Sequence, residues 1–454
     1  MKFYLNLEGV GSTLYALLTQ GAVFTGLALA FNLDEFLIGL TASFPMIAQL
    51  FQVLSPMVVE KFPRRRALVN FFNISARTPW AILILLLAFK ERNPTIFVLI
   101  FALSQIFGTL AGNAWTSLVR DLISESERGN FFGKRNVYIS LASLIFFYIY
   151  SLLIDWLKDP LGYQLSIAIG MLGTFISFWS MLKVPEVQLK SSGARAEVRF
   201  VFQDKNFMKL CTFYFVWNVV IAFTSPFFSY HLLKNLHVPF SYIGVTGVLS
   251  SIVAMIFYFV WGKLSDKLGH KSIAMVGVFI VSFLPTMWFF MNNLTYRYLM
   301  IADAIVTGIG WSAINLSFLT LPMEVAQSSS TAYFATYSAF GGVGGLVGAL
   351  IGGATAKLLS NVYLGPNSFP IYGLQIMFLV SGPLRAFTLR LLGRVRARRY
   401  VPLKTLIANA LFLSRDNASE RTNYSNIYEI LKIVKKKIEE KEEDDKTWRV
   451  KRWW

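Results

Sequence analysis

Among the ionisable side chains that fall inside apolar runs, two bound the chemistry open to this chain. Asp303 follows Arg297 by about 9 Å of helix at 1.5 Å per residue. A carboxylate at that depth could bind and release a proton or a cation, or could serve as a structural acid. Arg77 lies about 16 Å beyond Arg66 by the same rise, close to the middle of a bilayer. A guanidinium there needs a partner, a cavity or a ligand, and Gln49 and Gln105 are the partners the sequence offers. Uncharged polar and aromatic side chains on the first, fourth, seventh and tenth apolar runs extend the shortlist: Gln20, Gln105, Asn113, Trp217, Asn218, Thr224, Trp311 and Asn315. Interhelical hydrogen bonding explains most residues of this kind, so about a third of them are expected to touch a ligand.

Enzymatic chemistry has no support. His231, His237 and His270 are scattered at the ends of runs, with no metal-ligand or nucleophile cluster near them. No Gly-x-x-x-x-Gly-Lys-Ser/Thr stretch is present, so ATP hydrolysis on this chain is not expected. No catalytic residue, metal or cofactor is expected. Cys211 is the only cysteine, which precludes an intramolecular disulfide, and it reads as an apolar filler.

The elements that must position these residues are membrane spans. The chain has 454 residues, 55% hydrophobic and 15% charged, with a mean hydropathy of +0.52. That is not the composition of a water-soluble globular protein. Apolar runs separated by charged or Pro/Asn-rich breaks give about twelve spans: 7–31, 36–59, 67–89, 94–119, 131–154, 162–183, 207–232, 239–262, 272–291, 296–321, 329–358 and 370–393. The first run has no small-residue cleavage signal after it and is read as a retained span. Of 43 Lys and Arg, 18 fall at the amino terminus and in loops on one side, 17 lie from Arg390 onward, and the opposite loops hold six. The positive-inside bias then puts both termini in the cytoplasm. Orientation and contact with anionic lipid account for the net charge of +18 without a nucleic-acid partner.

The two halves repeat each other. Gly262-Lys-Leu-Ser-Asp266-Lys267-Leu-Gly269-His270-Lys271 reads as a tight polar loop after span 8, and Pro56-Met-Val-Val-Glu60-Lys61-Phe-Pro63-Arg64-Arg65 stands about 206 residues earlier. Ile38-Gly39 and Ile243-Gly244, Pro79 and Pro285, and Asp121 and Glu324 recur in the same order at nearly the same offset. Such internal repeats build many secondary transporters, with the substrate site between the halves. The expected division is a six-helix lobe over 1–185, a cytoplasmic linker over 186–205, a second six-helix lobe over 206–394, and a basic cytoplasmic tail over 395–454.

With these motifs in place, residues 5–394 resemble the major facilitator superfamily. The segment Asp121…Arg128-Gly129…Gly133 looks like the acid…Arg-Gly…Gly signature common after its fourth helix. The first-half loop departs from the family pattern: Glu60 stands for Asp, and Pro56 and Pro63 for glycines. The resemblance implies an all-α membrane protein of about twelve spans in two pseudo-symmetric six-helix lobes, and it makes span 10, with Asp303, line the cavity while span 3, with Arg77, lies outside it. It also implies a cytoplasmic gate built from Gly262, Asp266, Lys267, Gly269, Lys271, Glu60, Arg64, Arg65, Asp121 and Arg128. The acids would meet helix ends or arginines, and the bases would sit at lipid headgroups. Glu8 is expected to snorkel, and Arg385 to anchor at the cytoplasmic surface.

In span 11, Gly341, Gly345, Gly348 and Gly352, with Gly344 in a second register, offer a smooth packing face. Span 5 lacks the Gly-Pro motif of the family's drug–proton antiporters, and span 4 lacks their mid-membrane arginine. In the tail, Ile427, Ile430, Leu431, Val434 and Ile438 form an apolar stripe beside basic residues, as in an interfacial helix on anionic lipid. The function expected is secondary transport of a small organic solute by alternating access, with protons as a coupling partner, by a monomer in the inner membrane of a prokaryotic cell. The alternative is a transporter-like sensor or assembly protein acting through its tail.

Overall fold

The computed structural model describes residues 1–50, 64–186, 198–326, 331–364, 371–397, 400–402 and 405. Glu60, the tail beyond 405, and the side chains of Gln49, Arg128 and Asp266 lie outside the described residues.

The described residues are helical nearly throughout. Helices α1 (Lys2–Ala16) and α2 (Gly21–Ala30) form a bent pair, followed by α3 (Glu35–Leu50). Next come α4 (Arg65–Arg77), α5 (Trp80–Ala88), α6 (Pro94–Leu122), α7 (Glu125–Leu157) and α8 (Leu161–Leu182). A short α9 (Val198–Gln203) precedes α10 (Lys205–Tyr230), α11 (Phe240–Leu268), α12 (His270–Phe289), α13 (Tyr296–Val325) and α14 (Thr331–Leu359). An antiparallel hairpin of β1 (Tyr363–Leu364) and β2 (Ile371–Tyr372), not foreseen in the sequence, leads into α15 (Gly373–Gly393). Among the described residues, ten helices are long and apolar enough to cross a membrane, or eleven if α1 and α2 count as one span. α3 falls where the expected span 36–59 lies and is a shorter apolar helix, and residues 51–63 lie outside the described residues.

Local chemistry sets the helix ends. Asn93 accepts from the backbone N–H of Thr95 and Ile96, and Pro94 takes the first helical position, where a missing N–H costs nothing. Asp204 caps α10 in the same way through Asn206 and Phe207. Two stretches read as loops are helical instead. α11 runs through the polar motif to Leu268, Gly269 alone interrupts it at φ 90°, and α12 begins at once. Likewise α7 begins at Glu125, inside the segment after span 4. Polar side chains at a membrane surface do not break backbone hydrogen bonding, and only the left-handed residue must.

α1, α4, α6, α7 and α8 pack on one another, as do α10 to α15, and the two sets meet where α3 lies on α14, α7 on α11 and α2 on α10. The α14 glycines divide between two neighbours. A Cβ on Gly344, Gly348 or Gly352 would lie 2.3, 2.2 or 2.3 Å from the carbonyl oxygens of Phe215, Val219 and Phe223 on α10. On the other side Gly353 meets Gly39 of α3, where a Cβ on Gly39 would lie 2.4 Å from the Gly353 Cα. Close backbone approach of this kind is how helices associate where apolar burial gives no advantage over lipid.

Candidate functional site

The first span breaks midway. Leu17–Thr19 tighten into a 3-10 turn, Gln20 is extended (φ −153°, ψ 163°), Gly21 takes φ 64°, and α2 departs at 50° to α1. A Cβ on Gly21 would meet nothing within 4 Å, so the left-handed backbone, not space, selects glycine here. The first N–H groups of α2 have no intrahelical acceptor, and Gln20 gives them no side-chain cap. At membrane depth such backbone is tolerated only where it lines a cavity or is buried in protein.

A cavity of about 280 Å³ lies at this break. Thr19, Gln20, Gly21 and Thr25 form one wall, Ile38, Thr41 and Pro45 of α3 a second, and Ser225, Pro226 and Ser229 of α10 a third, with Phe24 and Phe101 between them. Residues from both halves of the chain therefore line one space. Gln20 is the member of the sequence shortlist found in the lining; the three threonines and two serines were missed. Thr19-Gln20-Gly21, a polar triplet inside an apolar run, was the available signal.

The cavity is roofed on the face remote from Met1. Ser229 adjoins Tyr230, whose hydroxyl donates to Glu35 Oε1, and Glu35 lies one turn before Ile38. Lys234 reaches the same carboxylate at 3.4 Å, and Lys357 meets Asp34 at 3.2 Å. Beside them the Asp155 carboxylate accepts the N–H of Phe240 at 2.8 Å and of Ser241 at 2.7 Å, holding the amino-terminal end of α11 to the carboxy-terminal end of α7. A wider cleft of about 700 Å³, with Asp155, Asp159, Tyr163 and His237 in its lining, opens next to this contact. In all three contacts the first half of the chain supplies the acid and the second half the donor.

The charged residues inside the spans are engaged within their own halves. Glu8 is buried and pairs with Arg135 at 2.9 Å, while its other oxygen accepts from Ser12 at 2.7 Å. Ser12 in turn accepts from Arg77 at 3.0 Å, and Arg77 lies over the Tyr15 ring at 5.2 Å. Glu8 thus does not snorkel, because Arg135 from α7 reaches it, and the observed partners of Arg77 are Ser12 and Tyr15, while the Gln49 side chain lies outside the described residues. In the second half, Arg385 is also buried, donating to Thr224 at 3.2 Å and to the Val281 carbonyl at 3.3 Å. The expected surface anchor is corrected: partners on α10 and α12 hold the guanidinium inside, about 12 Å of helix from the end of α15. Asp303 accepts from the Trp288 indole N–H at 2.8 Å and lies within electrostatic reach of Arg385, away from the central cavity lining.

The remaining shortlist disperses. Asn218 donates to the Tyr214 carbonyl at 2.8 Å, Asn315 to the Tyr258 hydroxyl at 3.3 Å, and Trp217 packs against Trp311 with ring centroids 6.2 Å apart. Gln105 and Asn113 are half-buried on α6 and do not belong to the lining. On the terminal face, Arg65 is fully buried and pairs with Asp121 at 2.8 Å. Lys271, its counterpart in the repeat, is buried as well, donating to the Gly393 and Val395 carbonyls at 3.0 and 2.7 Å beneath the Tyr400 ring. These two bases are internal ties, not headgroup contacts. Arg64 and Lys267 are exposed, Gly269 is the buried turn between α11 and α12, and Gly262 is half-buried in α11.

This arrangement, a cavity between two helical sets, agrees with the comparisons with known proteins. The Major Facilitator Superfamily model matches residues 9–349 and, overlapping them, 225–412. The chain belongs to that superfamily and has its all-α transporter fold. Among solved structures it is similar to the nucleoside transporter NupG, with TM-score 0.65 and 16% identity over 88% of this chain and 100% of that one. A D-xylose-proton symporter aligns with TM-score 0.63 and 15% identity, covering 88% of this chain and 97% of that one. A bacterial homologue of the human lysosomal transporter Spinster, inward-facing and occupied, aligns with TM-score 0.61 and 15% identity over 91% and 96%. No curated protein matches the sequence.

Proposed function

We propose that this chain moves a small organic solute across a membrane by alternating access, with the cavity at the α1/α2 break as its translocation site. The observation that carries the reading is the position of that cavity: both halves line it, at the mid-span backbone break of the first helix, directly beneath contacts that join the halves through Glu35, Asp34 and Asp155. Oriented by the positive-inside bias, the termini are cytoplasmic and the face held by these contacts is outward, the arrangement expected of an inward-facing conformation. Rocking the halves about the cavity would break the Glu35, Asp34 and Asp155 contacts and expose the site to the other side.

Coupling to protons is assigned to Asp303, because it is an acid inside a span whose hydrogen bond to Trp288 and interaction with Arg385 tie α12, α13 and α15 together. The tail is assigned to anionic lipid and the protein to a monomer in the inner membrane. The test is uptake by purified protein in liposomes. Solute should accumulate in wild-type vesicles, and Gly21→Val, which forces a β-branched side chain into φ 64°, should abolish transport while the protein remains folded in detergent. Normal uptake by Gly21→Val would place the translocation site elsewhere.

A further inference from the structure

The cavity lining specifies what it can hold. Its polar side chains are Thr19, Gln20, Thr25, Thr41, Ser225 and Ser229, and none of its lining residues is ionisable. The acids and bases of the surrounding spans are already engaged: Glu35 with Tyr230 and Lys234, Glu8 with Arg135, and Arg77 with Ser12. A charged ligand would give up its hydration shell here without meeting an opposite charge, which is costly in a space walled by protein and lipid.

The direction of the hydrogen bonds narrows the class further. Thr19 donates its hydroxyl proton to the Ala16 carbonyl at 2.8 Å, Thr25 to Gly21 at 3.0 Å, and Thr41 to Ile38 at 2.9 Å. With their protons committed to the backbone, the hydroxyls of Thr19 and Thr25 offer a ligand lone pairs only, while Thr41 is fully buried. They require donors on the ligand. The Gln20 amide and the uncapped N–H groups at the start of α2 supply donors, and so require acceptors on the ligand. Ser225 and Ser229 can serve as either. A ligand with several groups that both donate and accept satisfies this set, and the hydroxyl is the smallest uncharged group that does so on a single atom. Phe24 and Phe101, with ring centroids 4.4 Å apart, add an apolar wall for the C–H face of a ring. The volume of about 280 Å³ corresponds to about nine waters at roughly 30 Å³ each, room for a single hydroxylated ring.

We infer that the solute bound at the α1/α2 break is a neutral, polyhydroxylated compound of single-ring size, read by acceptor hydroxyls of Thr19 and Thr25 and by the donors of Gln20 and the α2 amino-terminal end. This assignment rests on the transport reading above and adds the substrate class to it.

The experiment measures thermal shift of the full-length protein in detergent, and uptake in liposomes, with two sets of probes. D-Glucose and D-ribose represent the neutral hydroxylated class; succinate, L-alanine and choline represent anions, zwitterions and cations. The expected result is stabilisation by, and uptake of, at least one neutral sugar and none of the charged probes. Thr19→Val and Thr25→Val, which keep the side-chain shape and remove the acceptor, should each weaken sugar binding about five-fold, the worth of one neutral hydrogen bond. Binding and uptake of a charged probe would overturn the substrate class and leave the transport reading intact. Sugar binding with unchanged affinity in both valine variants and in Gln20→Leu would overturn the assignment of the site. Folded protein that moves none of the five probes would remove the transport reading and the class together.

Discussion

Glu35 is the residue on which closure of the remote face turns, and its removal has a calculable effect. Its carboxylate accepts from the Tyr230 hydroxyl and meets Lys234 at 3.4 Å, so one side chain on α3 holds the end of α10. A hydrogen bond to a charged group contributes about 1.5–3 kcal/mol. The Lys234 side chain is half exposed, so that pair adds less than about 1 kcal/mol after solvent screening. Glu35→Gln keeps an acceptor but loses the charge, and the expected loss to the closed state is about 2 kcal/mol, close to thirty-fold in the equilibrium between closed and open. Spin labels on exposed Glu91 and Leu294, one in each half at the remote face, report this by double electron–electron resonance. Replacing Cys211, the only native cysteine, clears the background. The distance distribution should move towards a longer component in Glu35→Gln and in Tyr230→Phe, and the double variant should add little to either, because both remove the same bond. Unchanged distributions in both single variants would refute the latch.

Three further outcomes follow from the same contacts. Gly353→Val places bulk against Gly39, where the backbones already touch, and should also open the remote face, giving the same label pair a longer mean distance than in wild type. Asp121→Ala removes the carboxylate 2.8 Å from the fully buried Arg65 and should destabilise the fold by about 3 kcal/mol, whereas Arg65→Met should cost less; thermal unfolding in detergent ranks the two. Asp303→Asn keeps the shape beside Trp288 and should abolish uphill accumulation driven by a proton gradient while downhill exchange persists. Normal accumulation in that variant would make the residue structural.

The fold was legible because its signals are local or repeated. Apolar runs marked the spans, and the duplicated Pro-Glu/Gly-Asp motifs with Pro79 and Pro285 marked the two halves. Gln20 was legible as a polar side chain in an apolar run. The Thr19, Thr25 and Thr41 hydroxyls were not, since a threonine in such a run reads as packing, and only the broken helix shows which of them face a cavity. Glu8 with Arg135, and Arg385 with Thr224, were misread for a different reason: the partners are 127 and 161 residues apart, and a buried charge looks like a snorkelling one until its partner is placed. The bend at Gly21 was missed because apolar periodicity continues through it. Helix at the motif of residues 262–271 was missed because surface charge was taken for a loop.

The central claim is that one site at the α1/α2 break opens to one side of the membrane at a time. The direct measurement is reaction of Gln20→Cys, in a Cys211→Ala background, with a membrane-impermeant thiol reagent applied separately to each face of oriented vesicles. The account expects reaction from the face that carries the termini and protection from the other, and expects Glu35→Gln to transfer reactivity to the remote face. Reactivity that is equal from both faces, or that stays on the terminal face when Glu35 is replaced, would contradict it.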